Sequence, residues 1–255
     1  MDATSSSDIR PVALITGSGA PRIGNCVART LAVAGYRLVL HAHRSRDAAN
    51  ATARELEAHG TAAAVVSCDL AEDGKLVAMV REAIDAFGRI DALVNCAAVW
   101  QTKSLEQVTG DDVRRHFEVN TLATFLCCQH VGLQMVKQDT GGAIVNLGDW
   151  AIARPYLNYA AYFPSKGAIP TLTRDLAVEL ASRNPRVRVN AVLPGPAMLP
   201  ENLPAEERKS AIEATLVKRE GSPQNVADAV LFLLRNDFVT GICLPVDGGR
   251  SIYAP

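Results

Sequence analysis

The stretch TGSGAPRIG, residues 16–24, decides the fold of this 255-residue chain. It follows the apolar run VALI at residues 12–15, which is typical of a buried parallel strand. It precedes a segment from Asn25 to Ala34 that indicates a helix closed by Gly35. A glycine-rich turn between a strand and a helix lets a pyrophosphate approach the backbone at the positive end of the helix. A glycine- and proline-containing turn with no ligand is the alternative interpretation.

The order of strand and then helix repeats along the chain. Further strands are predicted at 37–41, 62–67, 91–95, 142–147, 187–192 and 242–246, and helices at 47–59, 73–87, 111–136, 160–182 and 223–235. Such alternation implies βαβ units with right-handed crossovers. The sequence therefore predicts the α/β fold class, with a single Rossmann-type doubly wound parallel sheet and helices on both faces.

The domain organisation predicted from this pattern is a flexible leader over residues 1–10 and a single domain over 11–255. One α/β domain can reach this length without splitting. One long irregular connection runs from Pro194 to Ser222. We expect it to carry function, because compact domains seldom keep an idle loop of this length.

Composition limits the classes of partner. A formal net charge of -1 gives no electrostatic reason to expect nucleic acid or an anionic membrane. The N-terminus lacks the apolar segment of a signal peptide, and no stretch reaches the roughly 18 apolar residues of a membrane span, so we expect a cytoplasmic protein. The six cysteines form no Cys-x-x-Cys pair, so no metal site is predicted and they are expected to pack as small hydrophobes.

Residues at the ends of the predicted strands bear on the cofactor. An acid at the end of the second strand of a dinucleotide fold would bind the 2′-hydroxyl of NAD. The sequence HAHRS at residues 41–45 offers no acid, whereas Arg44 can pair with phosphate and Ser45 can add a donor. This favours NADP(H), with a solvated basic turn as the alternative. Asp69, after the third strand, is expected to accept from the adenine amino group, and Asn95, after the fourth, to lie near adenosine.

Tyr162 and Lys166 indicate a proton-donating pair. They are four positions apart, which places both on one face of a helix. A phenol has a pKa near 10, and a nearby ammonium would stabilise the phenolate and lower that pKa. Pro164 and Pro170 fall in the helix that should present the pair. Proline is safe mainly in the first turn, so this helix is expected to start late or to kink.

In this order the residues resemble the short-chain dehydrogenase/reductase family over essentially the whole chain. The landmarks are Thr16-Gly17 to Gly24, Asp69, Asn95-Cys96-Ala97, Asn120, Tyr162 with Lys166, Asn190, Pro194-Gly195 and Val246-Asp247-Gly248-Gly249. Within the family the chain is most similar to the pteridine reductases, which share Arg22 in the first turn and the His-x-His-Arg-Ser run. They also share an aspartate in place of the usual serine, an aromatic residue and a second tyrosine, here Asp149, Trp100 and Tyr159. The first turn is one residue longer than the family's usual spacing, so Arg22 is expected to point differently.

The resemblance implies a role for each matching residue. The catalytic residues would be Asp149, Tyr162, Lys166 and Asn120, with Asn120 linking Lys166 to a proton-relay water. The cofactor-binding residues would be Gly17, Arg22, Ile23, Gly24, His43, Arg44, Ser45, Asp69, Leu70, Asn95, Ala97, Lys166, Pro194 and Gly195. Substrate contacts would come from Arg22, Trp100, Asp149, Tyr159, Tyr162 and Met198, with Trp100 stacking a pterin against the nicotinamide. The family also implies a small-molecule substrate, a substrate lid near 196–221, and a homotetramer with the helices at 111–136 and 160–182 in one interface.

Asp149 bears on the class of substrate. An ionised carboxylate only accepts hydrogen bonds, so it would repel the oxyanion that develops when a ketone is reduced. It can accept from the N–H groups of a 2-amino-4-oxo heterocycle, and hydride addition to a C=N bond leaves a nitrogen that needs a proton. This favours an NADPH-dependent reductase of a pterin or related N-heterocycle. Two alternatives stay open: a short-chain carbonyl reductase acting on a ketone or quinone, and a catalytically impaired NADP-binding sensor.

Overall fold

The computed structural model describes residues 10–253, and these residues form one seven-stranded parallel sheet. The strands are β1 (Val12–Thr16), β2 (Arg37–Ala42), β3 (Ala63–Ser67), β4 (Ala92–Asn95), β5 (Gly142–Leu147), β6 (Val187–Pro194) and β7 (Cys243–Val246). Their order in the sheet is β3-β2-β1-β4-β5-β6-β7, and every neighbouring pair is parallel. This confirms the predicted fold class.

Helices cover both faces of the sheet. They are α1 (Ile23–Val33), α2 (Arg46–Ala58), α3 (Asp73–Phe87), α4 (Gly110–His116), α5 (Ala123–Val136), α6 (Tyr162–Ala181), α7 (Ala205–Glu213) and α8 (Pro223–Arg235). Successive side chains of a strand point to opposite faces, so Leu14 of β1 joins the core beneath α3, α5 and α6, while Ile15 joins the core beneath α1 and α8. All of β1 is buried, as expected for a parallel strand covered on both sides.

The order of the strands fixes where a ligand can bind. β1 pairs with β2 on one side and with β4 on the other, so the chain leaves β1 and β4 in opposite directions. In such sheets a crevice opens at the carboxyl ends of the two strands. Thr16 joins the two strand ends, because its Oγ1 accepts hydrogen bonds from the backbone N–H groups of Cys96 and Ala97 at 3.1 and 3.2 Å.

Two predicted elements differ from the observed ones. The connection from Pro194 to Ser222, predicted as irregular, contains the helix α7. None of the α7 residues is buried, so this helix has no apolar periodicity that a sequence pattern could reveal. The helix predicted at 111–136 is broken into α4 and α5 by one π-helical turn, Phe117–Leu122, a feature that often marks functional sites.

The two prolines leave α6 in place. The helix begins at Tyr162, so Pro164 lies in the first turn, where a backbone N–H has no acceptor within the helix. Pro170 lies inside the helix, which nevertheless continues to Ala181. Of the predicted leader, residues 1–9 lie outside the described residues. Among the described residues, no helix is both long enough and apolar enough to span a membrane.

Candidate active site

The glycine turn after β1 is shaped by close backbone approaches. Gly17 has a φ of +66°, and a Cβ there would lie 2.8 Å from the Cα of Ala97. A Cβ on Gly24 would lie 2.6 Å from the carbonyl oxygen of Gly17. The helix α1 then starts at Ile23 with no side-chain cap from Arg22, which leaves its first N–H groups available for an anion. This end of the sheet therefore fits a dinucleotide pyrophosphate.

His41 holds this turn, a role that the sequence analysis did not assign. Its Nδ1 accepts from the backbone N–H of Gly17 at 3.2 Å, and its Nε2 lies 3.2 Å from the carbonyl oxygen of Cys68. Because Nδ1 is an acceptor, the ring proton belongs on Nε2, which donates to Cys68. Burial lowers the pKa of His41 to about 4, so the ring is neutral at pH 7. His41 thus ties the glycine turn to β2 and to the end of β3.

The predicted 2′-phosphate residues lie together beyond β2. Arg44 is exposed, and Ser45 lies close to the longer glycine turn, since a Cβ on Gly19 would lie 2.5 Å from the Ser45 Oγ. His43 Nε2 lies 3.8 Å from an Oδ of Asp69. The longer turn therefore extends toward Ser45, while Arg22 is exposed and makes no side-chain hydrogen bond to a described residue.

Asp69 has partners that the sequence did not predict. Its carboxylate accepts from the backbone N–H of Ala71 at 3.0 Å and pairs with Arg115 of α4 at 3.1 Å. Leu70 beside it is buried. The side chain of Asn95 donates to the Oδ1 of Asn146 at 2.9 Å inside the core, which leaves the backbone of Asn95 at the crevice.

Asp149, Tyr162 and Lys166 meet at the carboxyl end of β5. The Tyr162 phenol donates to Oδ2 of Asp149 at 2.8 Å. The other carboxylate oxygen of Asp149 accepts from the backbone N–H of Ala151 at 2.8 Å, so the aspartate also caps the short 3₁₀ helix Trp150–Ile152. Lys166, which is 3% exposed, donates to the carbonyl oxygen of Leu147 at 2.7 Å. The aspartate is thus a helix cap and a partner of the tyrosine at once.

The pKa shifts of these groups differ from the sequence expectation. Burial, followed by the charge and the hydrogen bond of Asp149, raises the pKa of Tyr162, whereas the sequence analysis expected Lys166 to lower it. That expectation was wrong because the phenol is buried and faces the carboxylate. Burial also raises the pKa of Asp149 and lowers the pKa of Lys166 to about 8. The phenol therefore keeps its proton, and Asp149 is the group beside it that binds a proton more tightly than usual.

Asn120 makes side-chain hydrogen bonds that the resemblance did not imply. It lies in the π-helical turn, its Oδ1 accepts from the backbone N–H of Val99 at 2.8 Å, and its Nδ2 donates to Ser165 Oγ at 2.9 Å. Its backbone carbonyl accepts from Thr124 Oγ1 at 2.9 Å. Asn120 thus connects the segment after β4, which leads to Trp100, with the first turn of α6. Ser165 was missed because a buried serine has no distinctive sequence pattern.

Aromatic side chains form a wall next to Tyr162. Trp100 stacks on Tyr159 with ring centroids 5.3 Å apart and an interplanar angle of 11°. Tyr156, which the sequence analysis missed, meets Tyr159 edge to face at 5.1 Å and Phe163 at 4.9 Å. Trp100 is 46% exposed and Tyr156 is 43% exposed, so both offer free surface to a ligand. Aromatic residues make up only 5% of the chain, and several of them are gathered beside Tyr162.

The remaining predicted residues lie near the end of β6. Gly195 passes β7 closely, since a Cβ there would lie 2.5 Å from the Cα of Asp247, and its N–H donates to Val246 at 3.0 Å. Pro194 ends β6, and Met198 is 48% exposed. The predicted lid at 196–221 contains α7 and a preceding segment of mixed exposure, in which Ala197 is buried and Met198 is exposed.

The sequence matches a known family over residues 19–251, and the family is described as Enoyl-(Acyl carrier protein) reductase. The chain belongs to the short-chain dehydrogenase/reductase family. Carbonyl reductase family member 4 of Xenopus tropicalis is 33% identical over 234 residues, covering 92% of this chain and 95% of the relative.

Two further members of the short-chain dehydrogenase/reductase family are similar over nearly all of their length. The 7alpha-hydroxysteroid dehydrogenase of Escherichia coli K12 is 34% identical over 93% of this chain and 92% of its own. The 3-oxoacyl-[acyl-carrier-protein] reductase of Rattus norvegicus is 34% identical over 92% of this chain and 96% of its own. These comparisons confirm the family, and none of the three is named as a pteridine reductase.

Membership makes the chain an oxidoreductase of a family that uses NAD(P)(H). The uncapped start of α1 and the glycine turn fit such a dinucleotide. Within residues 10–253, no group of three or more His, Cys, Asp and Glu side chains could hold a metal ion. The titratable side chains that meet at the carboxyl end of β5 are Asp149, Tyr162 and Lys166.

Proposed function

We propose that this oxidoreductase reduces a C=N bond in a planar N-heterocycle of the pterin type, with NADP(H) as cofactor. The observation that carries the proposal is the hydrogen bond from the Tyr162 phenol to the buried Asp149 carboxylate at 2.8 Å. Substrate class varies widely among members of one fold, so the chemistry of the site has more weight here than the names of relatives.

The proton route follows from the direction of this hydrogen bond. The phenol proton points at Asp149, so the pair can pass a proton to a substrate when Asp149 is protonated: Tyr162 gives its proton to the substrate and Asp149 replaces it. Burial raises the pKa of Asp149, which favours the protonated carboxyl that can pass a proton on. The bound dinucleotide supplies the hydride. Asp149 and Tyr162 together then deliver the proton that a ring nitrogen requires.

The aromatic wall supports a flat substrate. Trp100 presents free surface while its stack with Tyr159 keeps the indole plane fixed. A heterocycle lying against such a ring gains about 0.5–1.5 kcal/mol beyond the burial of apolar area. The carbonyl oxygen of the Asp149 carboxyl would accept from an N–H group at the edge of the same ring. These two contacts together select a flat molecule with donors on its edge.

The choice of NADP(H) rests on the turn after β2. Arg44 is exposed, and Ser45 does not cap α2, so both side chains are available to a 2′-phosphate. Arg44→Ala should raise KM for NADPH by about 10-fold or more and leave KM for NADH unchanged, because a charge-assisted bidentate contact is lost. Arg54→Ala, an exposed arginine on α2, is the matched control. Equal use of both cofactors by the unaltered protein would remove NADP(H) from the proposal.

A ketone is the second candidate substrate, and the relatives favour it. Two of the three relatives described above are named as reductases of carbonyl or 3-oxoacyl compounds. A protonated Asp149 carries an O–H that could donate to a ketone oxygen, as a hydroxyl residue would. Both candidates use the proton of Asp149, so they differ in the substrate atom that receives it, a ketone oxygen or a ring nitrogen.

A substrate panel separates the two candidates. NADPH oxidation would be followed with dihydrobiopterin, dihydrofolate, a quinone and a set of ketones. We expect turnover of the dihydropterin and little of the ketones. Turnover confined to ketones or the quinone would replace the first candidate by the second. Tight NADPH binding without any turnover would instead indicate the impaired NADP-binding sensor.

We also propose a homotetramer. Apolar side chains are exposed along α5 and α6 and the turn before them, including Leu122, Leu133 and Val178 at 41%, 42% and 71% exposure. Such surface is unfavourable in water and is typical of an interface between subunits. Light scattering should give four times the 27.2 kDa chain mass, and Leu133→Glu should reduce it. A monomeric parent protein would contradict the proposal.

A further inference from the structure

Arg250 lies in a turn that is fixed by the buried side chain of Asp247. Asp247 accepts from the backbone N–H of Gly249 at 2.9 Å and from that of Ser251 at 2.7 Å. Arg154, which follows the 3₁₀ helix Trp150–Ile152, donates to the carbonyl oxygen of Arg250 at 3.1 Å. Hydrogen bonds to Asp247 and from Arg154 therefore fix the backbone around Arg250, which defines the position from which its side chain extends.

The guanidinium of Arg250 makes two contacts in different directions. Its Nη1 donates to the carbonyl oxygen of Ala211 in α7 at 2.6 Å. Its central carbon lies 4.7 Å from the centroid of the Trp150 ring, which is a cation–π distance. A planar guanidinium can donate in its plane and stack on its face at the same time, whereas a lysine ammonium is a point charge.

Trp150 carries this contact to the reacting residues. It is 9% exposed and packs in one apolar cluster with Ala151, Tyr162 and Phe163. It directly follows Asp149, whose Oδ1 accepts from the N–H of Ala151. A shift of the Trp150 ring would therefore move the backbone that sets the direction of the Asp149 carboxylate.

We propose that Arg250 is a positioning residue: it joins α7 to Trp150 and thereby keeps Asp149 directed at Tyr162. The inference deepens the proposed function, since it names what holds the carboxylate in place. It predicts that the position of α7 and the orientation of Asp149 change together. Arg250→Met removes both contacts, and Arg250→Lys retains the charge but only one of them.

Tryptophan fluorescence tests the link without any substrate. The chain has two tryptophans, so Trp100→Phe leaves Trp150 as the only emitter. In that background Arg250→Met should raise acrylamide quenching of Trp150 severalfold and speed cleavage of α7 by trypsin. Arg250→Lys should give intermediate values. The matched control is Arg183→Met, which alters an arginine just beyond the end of α6 that pairs with Glu179.

Kinetics in the otherwise unaltered protein give the second readout. Arg250→Met should lower kcat by about 10- to 100-fold, the effect of a reacting group displaced by about 1 Å, without changing KM for NADPH. Quenching and kcat that equal those of Arg183→Met would overturn the inference, as would full activity in Arg250→Met. If the parent protein turns over no substrate, the proposed function fails, while quenching and cleavage of α7 still decide the role of Arg250.

Discussion

Asp149→Asn removes a charge from beside two titrating groups and leaves a side chain of the same shape. Burial lowers the pKa of Lys166 from 10.5 to about 8, and the charge of Asp149 partly offsets this fall. At about 1.4 kcal/mol per pH unit, the net shift disfavours the ammonium by about 3 kcal/mol. Without the carboxylate, the pKa of Lys166 should fall further, by roughly one unit for the loss of one nearby opposite charge.

The assay is the pH dependence of kcat/KM between pH 5 and 10. Activity that needs the Lys166 ammonium is lost as pH rises through its pKa, so the alkaline limb of Asp149→Asn should move roughly one unit toward acid. Asp175→Asn, an exposed carboxylate on α6, should leave the profile unchanged. An alkaline limb that stays in place in Asp149→Asn would refute the coupling of the two groups.

Three further predictions concern single side chains. Tyr162→Phe should lower kcat by about 100-fold or more with NADPH affinity unchanged in a fluorescence titration, because the ring remains and only the proton path is lost. Gly17→Ala should destabilise the protein by about 2–4 kcal/mol in urea unfolding, since its Cβ meets Ala97 at a positive φ; a cost below 1 kcal/mol would contradict the tight turn. Burial lowers the pKa of His41 from 6.5 to about 4, so the folded state favours the neutral ring. This contributes about 3 kcal/mol to the free energy of unfolding above pH 6.5, and the contribution is lost as the pH falls toward 4. His41→Asn should flatten this part of the stability profile, and an unchanged slope would assign it to other groups.

The fold was predictable because most strands and helices have a local sequence pattern that indicates them. Apolar runs such as VALI at residues 12–15 are closed by glycine or polar residues, and strand alternates with helix throughout. The helix α7 was not predicted because none of its residues is buried, so its sequence shows no apolar face. The π-helical turn was not predicted because Asn120 within it makes side-chain hydrogen bonds to Val99 and Ser165, which are distant in sequence.

The site was predictable only where roles depend on spacing. Asp149, Tyr162 and Lys166 stand at distances along the chain that bring them together once the fold is known. The direction of the Tyr162 pKa could not be read from spacing, because it depends on burial and on which group the phenol faces. Arg250 and Tyr156 come from distant or irregular segments, and their contacts exist only in three dimensions.

The central claim is that Asp149 selects a C=N substrate, and Asp149→Ser tests it most directly. The measurement is the ratio of kcat/KM for dihydrobiopterin to that for the best ketone, with NADPH, in the parent protein and in the variant. We predict that the parent favours the pterin and that the serine, which restores a neutral hydroxyl donor, lowers the ratio by about 100-fold or more. A parent protein that already favours the ketone, with a ratio that the serine leaves unchanged, would contradict the claim.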